Sequence, residues 1–261
     1  MGRLPRRLQH GEDATLVEHL EELRWRIIVM LCGLALTTIV AFAFHGHILD
    51  WLNHPLPADR RRVVTLGVAE PFTVSLRVSA YAGFLLALPV ILWQLWSFLA
   101  PAFEPSIERR VLGLVAFATV LGATGLAFGY WIVLPRALQW LTHYDDTHFT
   151  NLIQAKAYYS FTSTVLLGIV MVFELPIVVL GLVGVGVLTS ARLRKNRRLG
   201  YFIVAVIALG LPGPDPVTTA LELLPMWALF EGSIWLAAFV ERARPDALTG
   251  DRFDAVAQRP D

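Results

Sequence analysis

Three carboxylates set against an apolar background are the residues best placed to do chemistry. Glu174, in the string VFELPI at residues 172–177, sits deep in a hydrophobic run. A charge at the centre of a membrane helix costs about 2.5–3.5 kcal/mol even on the mildest insertion scale, so such an acid ordinarily faces a cavity or a partner. Pro176 follows two residues later and lacks a backbone donor, so the helix is expected to break or kink there. Glu22 lies in HLEELRWRI at residues 19–27, just ahead of the first apolar run, and admits two readings. It can pair with Arg26 at i,i+4 for about 0.3–0.5 kcal/mol, which on charge alone is the simpler account. Alternatively, it belongs to an acidic surface site for a cationic ligand. Glu108, in SFLAPAFEPSIERR at residues 97–110, reads from local chemistry as an interfacial helix cap beside snorkelling Arg109 and Arg110.

Catalytic arrangements are missing. The chain has no HExxH, GxSxG, CxxC or glycine-rich phosphate loop. A membrane aspartyl protease needs two intramembrane aspartates, and Asp215 stands alone in a turn. His45, His47 and His54 share a loop, but polar residues at headgroup level explain them more simply than a metal site. The reading is of a protein that is not an enzyme and needs no cofactor or metal. Cys32 is the only cysteine, so no intrachain disulfide can form.

The elements that must position these acids are transmembrane helices. The 261 residues are 56% hydrophobic and 16% charged, with mean hydropathy +0.57. A soluble domain carries about 25% charge, and the apolar runs approach or exceed the ~18 residues of a spanning helix. Spans are predicted at residues 27–44, 72–92, 111–134 and 158–183, followed by a short one at 201–211 and a return at 217–240. Residues 45–70 and 135–157 read as polar loops, residues 93–110 as interfacial, and RLRKNRR at 192–198 as a basic loop. The short run of 11 residues reaches roughly 17 Å against a hydrocarbon core of ~30 Å. The last hairpin therefore crosses thinned bilayer with snorkelling arginines at its base, or is re-entrant.

The fold expected is an all-α membrane protein of six transmembrane helices. Residues 1–26 form a cytoplasmic segment, 27–240 the membrane domain, and 241–261 a polar cytoplasmic tail expected to be disordered. With the N-terminus inside, 16 of the 22 basic residues fall on the inner side and six outside, so both termini are placed inside. Arg60, Arg61 and Arg62 form the one discordant cluster. The first apolar run is too long, and too far from the N-terminus, for a cleavable signal peptide.

These strings together resemble the TatC family, the multispanning receptor subunit of the twin-arginine protein translocase. HLEELRWRI matches the family's HLxELRxRL pattern, with Ile27 at the last leucine. LPVILWQLWSFLAPAF at 88–103, then ERR at 108–110, matches the end of the second span and the first cytoplasmic loop. FELPI matches the fourth-span F-E-x-P element, and LPGPDPVTTALELLPMWALFE at 211–231 the last hairpin. Two departures stand out. The loop before Glu108 is one residue longer than in relatives, and Thr219 replaces a glutamine early in the last span.

The resemblance implies a bacterial cytoplasmic-membrane protein that binds the twin-arginine motif of folded export substrates and works on the proton motive force. It implies assembly with single-span TatA-like and TatB-like partners and with further copies of itself, without nucleic acid. By the same resemblance, Glu22, Arg24, Phe98 and Glu108 recognise the signal. Glu174, with Pro176, Pro212, Asp215 and Thr219, forms an intramembrane polar and partner site. Paired guanidiniums suit two carboxylates in bidentate geometry, and an interfacial dielectric below that of water strengthens the contact. A proton-coupled small-solute transporter using Glu174 as a relay is the alternative. It predicts inverted internal repeats, and none is visible.

The predicted orientation is directly testable. A cysteine placed within residues 192–198 should resist an impermeant thiol reagent added outside intact cells, whereas one within 143–151 should label. Labelling of the basic loop from outside would invert the topology.

Overall fold

A computed structural model describes residues 16–58, 61–99, 111–144, 148, 152–210 and 216–242. Helix α1 (Leu16–Ala43) carries both the HLEELRWRI segment and the first span, starting well before Ile27. Beyond Arg26 it is apolar nearly all round, with Leu31, Leu36 and Ile39 58%, 64% and 67% exposed, as befits a helix whose surroundings are lipid. α1 packs on α3 (Glu70–Leu99). A Cβ added to Gly83 would stand 2.6 Å from Thr38 Cα, and Thr37 Oγ1 donates to the Gly83 carbonyl at 2.8 Å. Lipid supplies no hydrophobic drive between helices, so close backbone approach and an interhelical bond hold this pair.

The structure corrects three of the expected loops. Residues 45–70 open with a helix, α2 (His45–Asn53). Ile48, Leu49 and Leu52 recur on one face and pack into the core, a pattern that the histidines and Asp50 obscure in the sequence. α3 continues to Leu99, so residues 93–99 extend the second span rather than lying apart from it. The third span does not end at 134. α4 (Val111–Phe128) passes through a π-helical turn, Gly129–Val133, into α5 (Leu134–Thr142). Leu134 N–H bonds the Gly129 carbonyl, a wide turn directly ahead of Pro135. The proline then occupies the first turn of α5, where a missing donor is harmless.

The fourth span is two helices, α6 (Ala155–Phe173) and α7 (Leu175–Gly184), broken at Glu174. After the short α8 (Ser190–Lys195), the hairpin consists of α9 (Arg197–Gly210) and α10 (Pro216–Arg242). Five helical stretches among the described residues are long and apolar enough to cross a membrane. α9, with 14 residues, reaches about 21 Å and is not among them.

At one end of the bundle, strand β1 (Val63–Val64) pairs in parallel with β2 (Ile153–Gln154), a connection the sequence reading lacked. A core of Leu52, Leu56, Val133, Leu134 and Tyr158 fills the space beneath it. At the opposite end, Trp96, Val115, Ile177 and Leu180 join α3, α4 and α7, and Val204, Met226 and Ile234 join α9 to α10.

Gly83→Val should lower the thermal unfolding midpoint in detergent, since overpacking a tight contact costs about 1–3 kcal/mol. Gly113→Val is the control, because a Cβ there meets nothing within 4 Å. Equal midpoints would mean that α1 is free to move away from α3.

Candidate functional site

The first group of interest gathers where the start of α1 meets the end of α3. Arg26 Nε and Nη2 donate to Glu22 Oε1 at 3.0 and 2.5 Å. The same guanidinium reaches α3, donating through Nη1 to Gln94 Oε1 at 3.3 Å and through Nη2 to the Ser97 carbonyl at 3.1 Å. His19 stacks on Phe98 with ring centroids 4.6 Å apart. Helical spacing explains the convergence: residues 19, 22 and 26 recur at i, i+3 and i+7 on one face of α1. Glu22 and Phe98 are thus brought to one surface. Arg24, two residues from Glu22, is exposed on another side of α1. Glu108 lies outside the described residues.

His19 and Gln94 were not singled out from sequence. Gln94 is the one polar residue in LPVILWQLW, and that isolation was the available signal. The i,i+4 pair anticipated as the simpler account of Glu22 is present, but Arg26 also ties α1 to α3.

The second group surrounds the helix break. Glu174 N–H is 3.3 Å from the Val170 and Met171 carbonyls, and the Glu174 carbonyl accepts from Ile177 N–H at 3.0 Å. The break therefore keeps its backbone paired although Pro176 cannot donate. Glu174 is 4% exposed, and neither carboxylate oxygen has a hydrogen-bond partner among the described residues. Gly122 of α4 makes room for it, because a Cβ there would come 2.7 Å from Glu174 Oε1. Pro176 is buried beside it. Thr219 is half-buried in the first turn of α10, and Pro212 and Asp215 lie outside the described residues. A second buried acid, Glu222, is 3% exposed and faces Phe128, Ile169 and Phe173.

The family model described as Sec-independent protein translocase protein (TatC) matches residues 18–225. The chain belongs to the TatC family. TatCd of Bacillus subtilis, a Sec-independent protein translocase protein, is 35% identical over 233 residues, 89% of this chain and 95% of that protein. The Aquifex aeolicus TatC is 33% identical over 236 residues, 88% and 98% of the two chains. A crystal structure of the twin arginine translocase receptor TatC aligns with a TM-score of 0.74 at 31% identity, covering 85% of this chain and 98% of that one. The all-α membrane fold is therefore a TatC fold.

Two further clusters in this TatC-family chain had no counterpart in the sequence reading. Glu70 accepts from the backbone N–H groups of Leu66 and Gly67 at 2.8 and 3.1 Å, from Lys156 N–H at 2.9 Å, and from Gln154 Nε2 at 3.1 Å. Three of the four donors are main chain, so no side-chain motif announces them. At the foot of the hairpin, Glu231 accepts from Tyr201 Oη and lies 3.3 Å from Arg197 Nη2. His45 Nδ1 donates to the Phe42 carbonyl at 2.7 Å, and among the described residues no three His, Cys, Asp or Glu side chains converge on a metal site.

An unpaired buried polar group costs about 1–3 kcal/mol, more when charged. Glu174→Leu should therefore raise the thermal midpoint of the isolated protein in detergent, with Glu174→Gln falling between it and the parent. A lowered midpoint for the leucine variant would show that the carboxylate is bonded in the native protein.

Proposed function

We propose that the protein is the twin-arginine signal-peptide receptor and core subunit of a translocase that exports folded proteins on the proton motive force. In this reading it spans a bacterial cytoplasmic membrane six times, with α9 as the short span and both termini inside. Residues 1–26 and 241–261 face the cytoplasm, and residues 27–240 form the membrane domain. Glu22, Arg24, Phe98 and Glu108 receive the signal. Glu174, Pro176, Pro212, Asp215 and Thr219 serve the intramembrane contacts with TatA-like and TatB-like helices, and further copies of the chain join the complex. The protein acts as a receptor rather than a catalyst. The family match to translocase proteins leaves a small-solute transporter without support.

One observation carries the reading: Glu22 already holds a guanidinium. Arg26 presents its Nε–Nη2 edge to the carboxylate while its other contacts run to Gln94 and Ser97. An incoming arginine can take over Glu22 while Arg26 keeps its hold on α3, so the protein's own side chain serves as a placeholder for the ligand's. The planar fork of arginine fits this exchange and the point charge of lysine does not. The stacked His19 and Phe98 rings beside it offer a surface for the apolar part of the peptide.

Binding of a synthetic twin-arginine peptide to the detergent-solubilised protein tests this. Glu22→Ala should weaken it by roughly 10–150-fold, the equivalent of one lost charge-assisted contact of about 1.5–3 kcal/mol. A twin-lysine peptide should bind the parent poorly. An unchanged affinity would reduce Glu22 to a staple between Arg26 and the helix start.

A further inference from the structure

A groove of about 370 Å³ runs along α10 at the basic end of the hairpin, lined by Arg194, Gly232, Trp235, Leu236, Ala238 and Phe239. Its walls are apolar and open to the membrane, with Trp235 69% and Phe239 73% exposed. A Cβ on Gly232 would meet nothing within 4 Å, so the groove is open there. Arg194, from α8, is its only charged lining residue.

The charges around the groove do not balance. Glu231 is engaged by Tyr201 and Arg197. Glu241 accepts the Ser190 N–H at 2.8 Å and the Ser190 hydroxyl. Arg194 has neither a hydrogen bond nor an ion pair among the described residues, and Arg192, Lys195 and Arg198 near it are exposed. An exposed guanidinium at the edge of hydrocarbon reaches for an anion at the interface. The chemistry that supplies an anion joined to an apolar chain is an anionic phospholipid.

We propose that this groove is a binding site for one anionic phospholipid. The phosphate sits on the Arg194 guanidinium in bidentate geometry, and an acyl chain runs past Gly232 between Trp235 and Phe239. Charge argues for a lipid: Arg194 is the groove's only charged lining residue, so a single phosphate answers it and an acyl chain, which needs no polar partner, fills the apolar remainder.

Trp235 reports on its own groove. The full-length protein is reconstituted in phosphatidylcholine nanodiscs with a minor fraction of acyl-brominated lipid, either phosphatidylglycerol or phosphatidylcholine. The Trp235 contribution is the difference between the parent and Trp235→Phe. Brominated phosphatidylglycerol should be enriched at Trp235 about fivefold over brominated phosphatidylcholine, as one basic residue at the surface provides. Arg194→Ala should abolish the preference, while Arg192→Ala and Arg198→Ala leave most of it. Gly232→Leu should suppress quenching by filling the groove, and the open space at that position lets the variant fold. Equal quenching by the two lipids overturns the proposal. So does a preference that survives Arg194→Ala, which would mark diffuse attraction to the basic loop. Inorganic phosphate that displaces the brominated lipid at millimolar concentration would also overturn it, by showing an anion site without a lipid chain.

Discussion

No water is available in the hydrocarbon core, so every backbone group there must find its partner within the protein. The irregularities of this chain obey that constraint. The fourth span breaks at Glu174, where α4 crosses it closely at Gly122, and the break keeps its own carbonyls bonded. The third span accommodates Pro135 through one widened turn instead of ending. Glu174 is the exception that the constraint makes conspicuous: it is buried, and both its oxygens lack a bond among the described residues. A group left in that condition raises the energy of the isolated subunit and favours any neighbour able to pair with it.

The two ends of the bundle are held by different chemistry. At the end bearing β1 and β2, side chains bond to main chain: Glu70 spans two loops, and Tyr130 and Tyr158 hydroxyls cap the Trp51 and Leu52 carbonyls. Such contacts fix backbone against backbone. At the basic end the joints are chiefly side chain to side chain, as with Arg26 on Glu22 and Gln94 and Arg197 on Glu231, with Ser97 and Ser190 adding main-chain partners. Those can exchange one partner for another without rearranging the helices. A receptor face suits the second kind of joint.

What the sequence disclosed and what it hid follow from the range of the interactions. Glu174 and Pro176 stood out because a charge and a proline in an apolar run are each costly, and the break lies between α6 and α7 where they fall. The shortness of α9 was legible by counting. The basic loop announced itself as charge, whereas the pairing of Arg197 with Glu231 depends on how α9 lies against α10. α2 was hidden because His45, His47, Asp50 and Asn53 make it look polar, although its apolar positions keep helical spacing. Glu70 was hidden for a deeper reason. Three of its four donors are backbone amides, identical in every residue, and Gln154 and Lys156 lie more than eighty positions downstream.

That separation also sets an order of assembly. β1 and the Leu66–Gly67 turn emerge from the ribosome long before Gln154 and Lys156, with α3, α4 and α5 between them. The carboxylate of Glu70 can gather its first two donors at once, but the loop cannot be sealed until three further helical elements have been inserted. Contacts so distant along the chain form late. Helices α1 to α5 thus come first as a loosely tethered set, and the bundle closes only as α6 arrives.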